Sequence, residues 1–307
     1  MMKTLIVILG PTGVGKTALC LRVAQQLHIP IINADSRQIF EELPIGTAAP
    51  TAAERQAVRH YFVGDHHLTD YYSASMYEQD VLSLLDRLFT GQTEDGRVYD
   101  VALMSGGSMM YIDAVCDGID DIPTVDDATR EWMKRRLADE GLPALVEELH
   151  RLDPDHWAVV DRNNPRRVVH ALEICHVSGR TYTSFRTNQR KQRPFRIVKI
   201  GLDRPREELY ERINARVLDM MAQGLEQEAR RVYALRGLNS LNTVGYKEMF
   251  AYFDGAIDRD EAVRQIQSNS RRYMRKQLTW FKKDDRIQWF SPDNIEDILN
   301  YIDNTIR

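Results

Sequence analysis

Short apolar runs in the first third of the chain alternate with segments whose apolar residues recur at helical spacing. Residues 5–9, 29–33 and 98–104 are apolar stretches of strand length, and each is predicted to form a buried strand. Between the second and third runs, residues 77–89 carry apolar side chains at the spacing of one helical face. Strands that alternate with helices indicate a parallel sheet with right-handed crossovers.

The pattern changes at about residue 121. Residues 121–185 carry many charges and helical apolar stripes but no convincing strand, which predicts a helical insertion. Residues 196–201 return to a strand-like pattern, and the remainder is mainly helical. We therefore predict a core domain made of residues 1–120 and 186–307, interrupted by a helical insertion domain at residues 121–185.

The composition is that of an ordinary globular protein, with 43% hydrophobic and 28% charged residues among 307. A net charge of −4 excludes a wholly basic nucleic-acid binder but leaves room for a local basic groove. The three cysteines form no C-x-x-C pair, which fits a reducing compartment and assigns them no metal. No apolar stretch approaches the ~20 residues of a membrane span, so we expect a cytoplasmic protein without a membrane partner.

A glycine-rich loop, Gly10-Pro-Thr-Gly-Val-Gly-Lys-Thr17, follows the first predicted strand and opens a helical segment. It matches the G-x-x-x-x-G-K-[ST] pattern, in which backbone N–H groups and a helix start surround a phosphate. The chain is therefore predicted to grip a di- or triphosphate within an α/β, P-loop NTPase-like fold whose parallel sheet is flanked by helices. The residues predicted to bind the phosphates are Gly10, Pro11, Thr12, Gly13, Val14, Gly15, Lys16 and Thr17, with the Thr17 hydroxyl as a ligand of Mg2+.

The ends of the other two predicted strands also carry candidate chemistry. An ordinary P-loop nucleotidase places a metal-holding Asp after a later strand, whereas residues 98–104 are followed by Ser-Gly-Gly-Ser, ending at Ser108. This departure weakens a nucleotidase interpretation and leaves a hydroxyl near the cradle, unless the glycines serve only a tight turn. Asp35 follows the second strand, at the edge where such sheets bind ligands. It could act as a general base or as an ordinary helix N-cap.

Three basic clusters stand out in this net acidic chain. Residues 271–283 are dense in Lys and Arg beside an apolar helical stripe, and smaller clusters lie at 162–167 and 186–196. A solvated amphipathic helix has the same pattern as a nucleic-acid-binding one, but three clusters together favour a polyanionic partner. Arg212 and Arg216 are four residues apart on a helical face, where they could clamp a diphosphate or pair with glutamates.

Several short motifs occur in a fixed order along nearly the whole chain. They are the glycine-rich loop at 10–17, Ala-Asp-Ser-Arg-Gln at 34–38, Ile-Gly-Thr-Ala at 45–48, His-Tyr-Phe-Val-Gly-Asp at 60–65, Gly-Gly-Ser-Met-Met-Tyr at 106–111, Asn-Asn-Pro-Arg-Arg at 163–167, Arg-Ile-Asn-Ala-Arg at 212–216, Val-Gly-Tyr-Lys-Glu at 244–248 and Arg-Lys-Gln-Leu-Thr-Trp-Phe at 275–281. Each motif alone is weak, but the ordered set is specific. With it, the chain resembles the bacterial tRNA dimethylallyltransferase family.

This resemblance implies transfer of a dimethylallyl group from its diphosphate to N6 of the adenosine 3′-adjacent to the anticodon, in tRNAs that read codons beginning with U. The P-loop would then hold the diphosphate of dimethylallyl diphosphate together with Mg2+. Asp35 carries over as the base that takes the N6 proton, and Ser108 as a hydroxyl near the leaving oxygen. Lys16, Arg212 and Arg216 would neutralise the departing diphosphate.

The resemblance also implies a set of tRNA contacts, and we expect a monomer that binds the anticodon stem-loop. These contacts carry over to Asp35, Ser36, Arg37, Gln38, Ser108, Arg130, Arg166, Arg167, Val168, Val169, His170, Asn242, Thr243, Val244, Gly245, Tyr246, Lys247, Arg275, Lys276, Gln277, Leu278, Thr279, Trp280, Phe281 and Lys282. The family usually has Lys at Ala49, Thr at Ser108 and Tyr at Phe40, so local contacts at these positions depart from its pattern.

Three other functions remain open from the sequence. A prenyltransferase that acts on free adenine nucleotides would need neither the helical insertion nor the basic C-terminal helix. A small-molecule kinase would bind ATP in the P-loop and turn it over. A non-enzymatic RNA-binding protein would use a bound phosphate only structurally and would tolerate Asp35→Asn.

Overall fold

The computed structural model describes residues 2–187 and 189–306. Within them, strands occupy Thr4–Leu9 (β1), Ile31–Asn33 (β2), His60–Tyr61 (β3), Val101–Gly106 (β4), Arg196–Leu202 (β5) and Ile287–Phe290 (β6). Neighbouring strands all pair in parallel, in the order β3-β2-β4-β1-β5-β6. The predicted P-loop-like α/β fold is therefore confirmed.

The α-helices connect the strands and fill the region after β5. They are Lys16–Leu27 (α1), Ala52–Ala57 (α2), Ala74–Thr90 (α3), Met109–Asp117 (α4), Asp127–Asp139 (α5), Gly141–Leu152 (α6), Pro154–Val159 (α7), Pro165–Ser178 (α8), Arg206–Gln223 (α9), Leu225–Val232 (α10), Tyr246–Phe253 (α11), Arg259–Phe281 (α12) and Ile295–Ile306 (α13). Several helix starts follow ordinary capping chemistry: before α12, for example, the Asp258 side chain accepts from the Glu261 N–H. No helix in the described part of the chain is both long and apolar enough to cross a bilayer.

The centre of the sheet is β1, all six of whose residues are buried. Its first residue, Thr4, lies opposite Val101 of β4 on one side and Arg196 of β5 on the other. A strand covered on both faces has no solvent side, which explains why its sequence is an unbroken apolar run rather than an alternating one.

The two edge strands were not predicted from the sequence. Strand β3 has only two half-buried residues, and β6 has four residues of which Ile287 alone is buried. Strands this short and this exposed carry neither a continuous apolar run nor a clear alternation. The strand predicted at residues 98–104 begins later, at Val101, because Val98 is 58% exposed and lies outside the sheet.

The carboxyl ends of three neighbouring inner strands, β2, β4 and β1, meet at one edge of the sheet. Leu9 of β1 pairs with Gly106 of β4, and Asn33 of β2 pairs with Ser105. The loops that leave these strands therefore start side by side. This is the edge at which open α/β sheets bind their ligands.

The chain divides into two compact units, one formed by Met1–Cys116 with Gln192–Arg307 and the other by Asp117–Lys191. The second unit contains α5 to α8 and begins earlier and ends later than the insertion predicted at residues 121–185. It has a core of its own, because α5, α6 and α8 bury apolar residues against one another. The fully buried members are Met133, Leu145, Leu149, Val168, Ala171 and Leu172.

Candidate active site

The glycine-rich loop runs between β1 and α1, as the motif predicted. Gly13 and Gly15 have φ angles of 83° and 108°, which glycine adopts at little cost. A Cβ on Gly10 would lie 2.8 Å from the Leu202 carbonyl oxygen, so the loop packs directly on the end of β5. The loop is thereby fixed in shape before any anion binds.

Lys16 is folded back onto its own loop, where Nζ donates to the carbonyl oxygens of Gly10 at 2.8 Å and Pro11 at 2.9 Å. Burial, together with the nearby Arg216 cation, lowers the pKa of Lys16 to about 8. The carboxylate of Asp35 opposes this shift, which places Asp35 within electrostatic reach of the same loop. Lys16 is thus held at the glycine-rich loop, where its positive charge is only partly stabilised.

The arginines predicted to clamp a diphosphate both reach the loop from α9. Arg212 Nε donates to the Gly13 carbonyl at 2.7 Å, and Arg216 Nη1 donates to the Thr12 hydroxyl at 3.0 Å. Arg212 is exposed, whereas Arg216 is half-buried, and burial lowers the pKa of Arg216 against the pull of Asp35. Two helical turns of α9 therefore present two cations to one phosphate-binding loop.

A third arginine at the loop was not predicted. Arg204 follows β5, and its Nε donates to the Val14 carbonyl at 3.0 Å. Its other nitrogens pair with Glu208 at 2.6 Å and with Asp293 at 2.5 Å. Since both carboxylates already neutralise it, Arg204 stabilises the loop rather than offering charge to a ligand. Its only sequence signal is its position just after a predicted strand.

The buried carboxylate of Glu228, on α10, fixes residues 45–47, a segment that also contacts Arg216. Arg216 Nη2 donates to the Thr47 carbonyl at 3.3 Å. Just before Thr47, the N–H groups of Ile45 and Gly46 donate to the fully buried Glu228 at 2.9 and 2.8 Å. The hydroxyl of Tyr246 also donates to this carboxylate, at 2.6 Å, so Glu228 is well satisfied despite its burial.

Asp35 and Ser108 lie on the adjoining loops after β2 and β4. Asp35 Oδ1 accepts from the Arg37 N–H at 2.9 Å, and no helix begins there. The alternative role of Asp35 as a helix N-cap is therefore wrong, and it caps a turn instead. Ser108 Oγ accepts from the Ser36 N–H at 2.8 Å, which joins the two loops beside Asp35.

Tyr273 of α12 completes this side of the site and was not singled out by the sequence. Its hydroxyl lies within hydrogen-bond reach of Ser108. Although 38% of the residue is exposed, burial of the hydroxyl raises the pKa of Tyr273 to about 12. Arg37 lies beside Asp35, Tyr111 and Tyr273, and burial lowers its pKa. The site thus pairs a carboxylate with phenol and guanidinium groups from three separate elements.

The residues predicted to contact RNA fall into two groups. Six of them are buried: Ser108, Val168, Gly245, Tyr246, Gln277 and Phe281. Ser108 lies at the loop beside Asp35 and Gly245 has no side chain, whereas the other four side chains support the fold rather than face a ligand. Others are exposed, including Arg166, Arg167 and His170 on α8, Lys247 on α11, and Arg275, Lys276, Thr279, Trp280 and Lys282 at the end of α12. Some of the second group are already tied to the protein, as Trp280 Nε1 is to Asp113 at 2.7 Å.

One residue of the basic cluster at 186–196 is withdrawn from solvent. The Arg193 side chain is only 7% exposed, and its Nη2 lies 2.7 Å from Glu78 Oε1. It also donates to the backbone carbonyls of Ala114 and Val115. Its role is structural, and a count of cations along the sequence could not reveal this because Glu78 is distant in the chain.

Oxygen donors suited to Mg2+ are present at the loop. Thr17 is exposed in the first turn of α1, where its hydroxyl can join the oxygens of a bound phosphate. Mg2+ is usually held by few protein oxygens together with substrate phosphates and waters. The residues present therefore fit a magnesium ion that arrives with an anionic ligand.

Comparison with known proteins gives one consistent result. Residues 38–284 match the family model described as IPP transferase. The chain is 62% identical over 290 residues to tRNA dimethylallyltransferase 2 of Porphyromonas gingivalis, covering 94% of each chain. It is 57% identical over 305 residues to tRNA dimethylallyltransferase 1 of Bacteroides fragilis, covering 99% of each chain.

Solved structures agree with the sequence relatives. The tRNA isopentenylpyrophosphate transferase of Bacillus halodurans superposes with a TM-score of 0.71 at 32% identity, covering 99% of this chain and 97% of that one. A eukaryotic dimethylallyltransferase acting on tRNA has a TM-score of 0.76 at 22% identity, covering 91% and 69%. The second likeness concerns the fold alone.

Proposed function

The chain belongs to the IPP transferase family, and from that premise we propose that it is a tRNA prenyltransferase. It transfers a dimethylallyl group from dimethylallyl diphosphate to N6 of the adenosine 3′-adjacent to the anticodon, in tRNAs that read codons beginning with U. One observation carries the assignment of the chemistry: the phosphate loop follows β1 and the carboxylate of Asp35 follows β2, and these two strands flank β4 and end at the same edge of the sheet. A base and a leaving-group site are therefore adjacent.

The bond changes follow from this arrangement. The allylic carbon–oxygen bond breaks, and its electron pair leaves with the diphosphate. The N6 lone pair forms the new carbon–nitrogen bond, and the N6 proton passes to Asp35. Positive charge builds on carbon and negative charge on the diphosphate as the bond breaks, so preorganised cations lower the barrier.

The cations at the phosphate loop differ in how they would stabilise the diphosphate. Arg216 is half-buried and fixed by Thr12 and Thr47, so it stabilises the leaving diphosphate without reorganising. Lys16 has to exchange its two carbonyl partners for phosphate oxygens. Thr17 would hold a Mg2+ ion that arrives with the diphosphate, and the ion would supply further charge neutralisation there. Ser108 donates its hydroxyl near the leaving oxygen.

The RNA brings its adenosine to Asp35 only after the base has left its stack, which costs a few kcal/mol. Exposed cations such as Arg167 and Lys276 repay this cost through contacts with phosphates. The protein needs no acidic residue to aim water at a phosphate, because the nucleophile is an amine of the RNA. The absence of an Asp at the end of β4 is consistent with that requirement.

A single labelling assay tests the proposal. The protein is incubated with Mg2+, labelled dimethylallyl diphosphate, and either an anticodon stem-loop or AMP. Label is expected in the stem-loop and not in a control stem-loop that carries guanosine, which lacks the N6 amine, at the same position. Label in AMP alone would identify a free-nucleotide prenyltransferase, and label in neither acceptor would overturn the proposal.

A further inference from the structure

Gln277 is a polar residue on the buried stripe of α12. It is 2% exposed and lies on the same side of the helix as the buried Met274 and Phe281. Full burial of an amide is unfavourable unless its donor and acceptor both find partners. The Gln277 side chain is therefore expected to make hydrogen bonds inside the protein, although the family resemblance places it among the tRNA contacts.

The amide of Gln277 joins two loops of the site. Its Oε1 accepts from the Thr12 N–H in the phosphate loop at 2.9 Å. Its Nε2 donates to the Gly107 carbonyl at 2.8 Å, in the loop between β4 and α4 that also carries Ser108. One side chain thus satisfies a donor and an acceptor that are far apart in sequence.

The fit around Gln277 is tight on the side of Gly107. A Cβ added to Gly107 would overlap Gln277 Nε2, whereas its next neighbours, Gln277 Cδ and the Gly10 carbonyl oxygen, would lie at an ordinary 3.6 Å. The φ angle of Gly107 is not among the positive ones. The absent side chain at position 107 therefore makes room for the Gln277 amide rather than providing backbone freedom.

The same helix has a second contact with the site on a neighbouring turn. Tyr273, four residues before Gln277, places its hydroxyl against Ser108. Between and beside them, Arg275 and Lys276 are exposed. Helix α12 therefore holds the catalytic loops with one face and presents cations to solvent with another.

We propose that Gln277 is a positioning residue, which sets the phosphate loop against the Ser108 loop and so aligns the leaving diphosphate with the hydroxyl that assists its departure. This inference rests on the proposed function. It gives Gln277 no direct contact with RNA. It also gives helix α12 two roles, because the helix that carries exposed cations fixes the geometry of the donor site through its buried face.

Gln277→Met tests the role, since methionine keeps the length and volume but removes both hydrogen bonds. We expect kcat/KM for dimethylallyl diphosphate to fall about tenfold to a hundredfold, because small misplacements of reacting groups are costly. Pyrophosphate, used as a non-reacting probe, should bind several-fold more weakly, and stem-loop affinity should stay within about twofold. The control is Gln265→Met on the same helix, where the amide donates to Glu261 within that helix.

A double-mutant cycle separates positioning from a merely structural role. Gly107→Ala in the wild-type background should displace the Gln277 amide and lower kcat/KM about as much as Gln277→Met does. Gln277→Ala removes the amide that a Cβ at position 107 would overlap. In that background, adding Gly107→Ala should therefore lower kcat/KM little further than Gln277→Ala alone does. Non-additivity of this kind is expected only for residues that act through one contact.

The outcomes separate this inference from the proposed function. If wild-type protein transfers no label to RNA, the proposed function fails and the inference fails with it. If wild-type protein is active and folded Gln277→Met has wild-type kinetics and pyrophosphate affinity, the inference alone is overturned. If Gln277→Met loses stem-loop affinity while its pyrophosphate binding is unchanged, the inference is also overturned, because Gln277 would then act as an RNA contact. Additive costs in the cycle would show that positions 107 and 277 act separately.

Discussion

The phosphate loop and the helical unit at Asp117–Lys191 are both rich in cations, but they hold them differently. At the loop, Lys16 and Arg216 lose solvent around their charged ends and are fixed by hydrogen bonds, and burial lowers the pKa of both groups. In the helical unit, Arg166 and Arg167 are exposed at the start of α8. The first arrangement suits stabilisation of charge that develops in a reaction, and the second suits binding of a polyanion.

This difference predicts two kinds of mutational effect. A fixed, desolvated charge contributes most where charge changes during the reaction, so its loss should lower kcat. A solvated charge acts through release of counterions, so its loss should weaken RNA binding in a salt-dependent way. The variants below test this division.

The largest effect is expected from Asp35→Asn. Asparagine keeps the Oδ1 that accepts from the Arg37 N–H, so the turn should survive while the base is lost. Removal of a general base typically costs about 10²–10⁴-fold in rate, and we expect kcat in the labelling assay to fall within that range. Stem-loop affinity should be nearly unchanged.

Two controls accompany this variant. Asp139→Asn changes an exposed carboxylate at the end of α5 and should leave kcat at the wild-type value. Wild-type turnover by folded Asp35→Asn would refute its role as base and would revive an RNA-binding protein that uses phosphate only structurally.

The same division explains which parts of the molecule could be predicted from the sequence. The phosphate loop and the inner strands were predictable, because local patterns with fixed spacing specify them. The spacing of Arg212 and Arg216 left open whether they would clamp a diphosphate or pair with glutamates, and their contacts with the loop come only from the structure.

Residues whose role depends on distant partners could not be predicted. Gln277 bonds a residue 265 positions away, and the carboxylate of Glu228 on α10 is satisfied by N–H groups of Ile45 and Gly46. Burial also reversed the expectation for Arg193, whose partner Glu78 lies on α3. In each case tertiary packing decides whether a polar residue faces solvent or the interior.

The next largest effect is expected from Arg216→Lys. Lysine retains the charge but cannot donate to both Thr12 and Thr47 from a planar fork. We expect kcat/KM for dimethylallyl diphosphate to fall by about a hundredfold, in line with loss of one preorganised donor. Arg87→Lys, at an exposed position of α3, is the control. A loss confined to stem-loop affinity would contradict the assignment of Arg216 to the diphosphate.

A smaller effect should appear in the pH profile. Since the pKa of Lys16 is lowered to about 8, the free protein loses this positive charge as the pH rises through that value. We expect kcat/KM for dimethylallyl diphosphate, which reports ionisations of the free protein, to decline above about pH 8. In Lys16→Arg, measured over the same pH range, the decline of kcat/KM should begin at a higher pH. A decline at the same pH as in the wild-type protein would mean that another group causes it.

The smallest effect is expected from Arg167→Ala in the helical unit. Removal of one solvated cation should weaken stem-loop binding only a few-fold and lower the slope of log affinity against log salt by somewhat less than one. The kcat at saturating RNA should not change, because the charge stabilises no developing negative charge. Arg87→Ala on α3 serves as the exposed control and should alter neither slope nor affinity. If Arg167→Ala lowered kcat at saturating RNA while leaving the salt slope intact, the division between fixed and solvated cations would be wrong, because an exposed arginine of the helical unit would then be acting on the reaction itself.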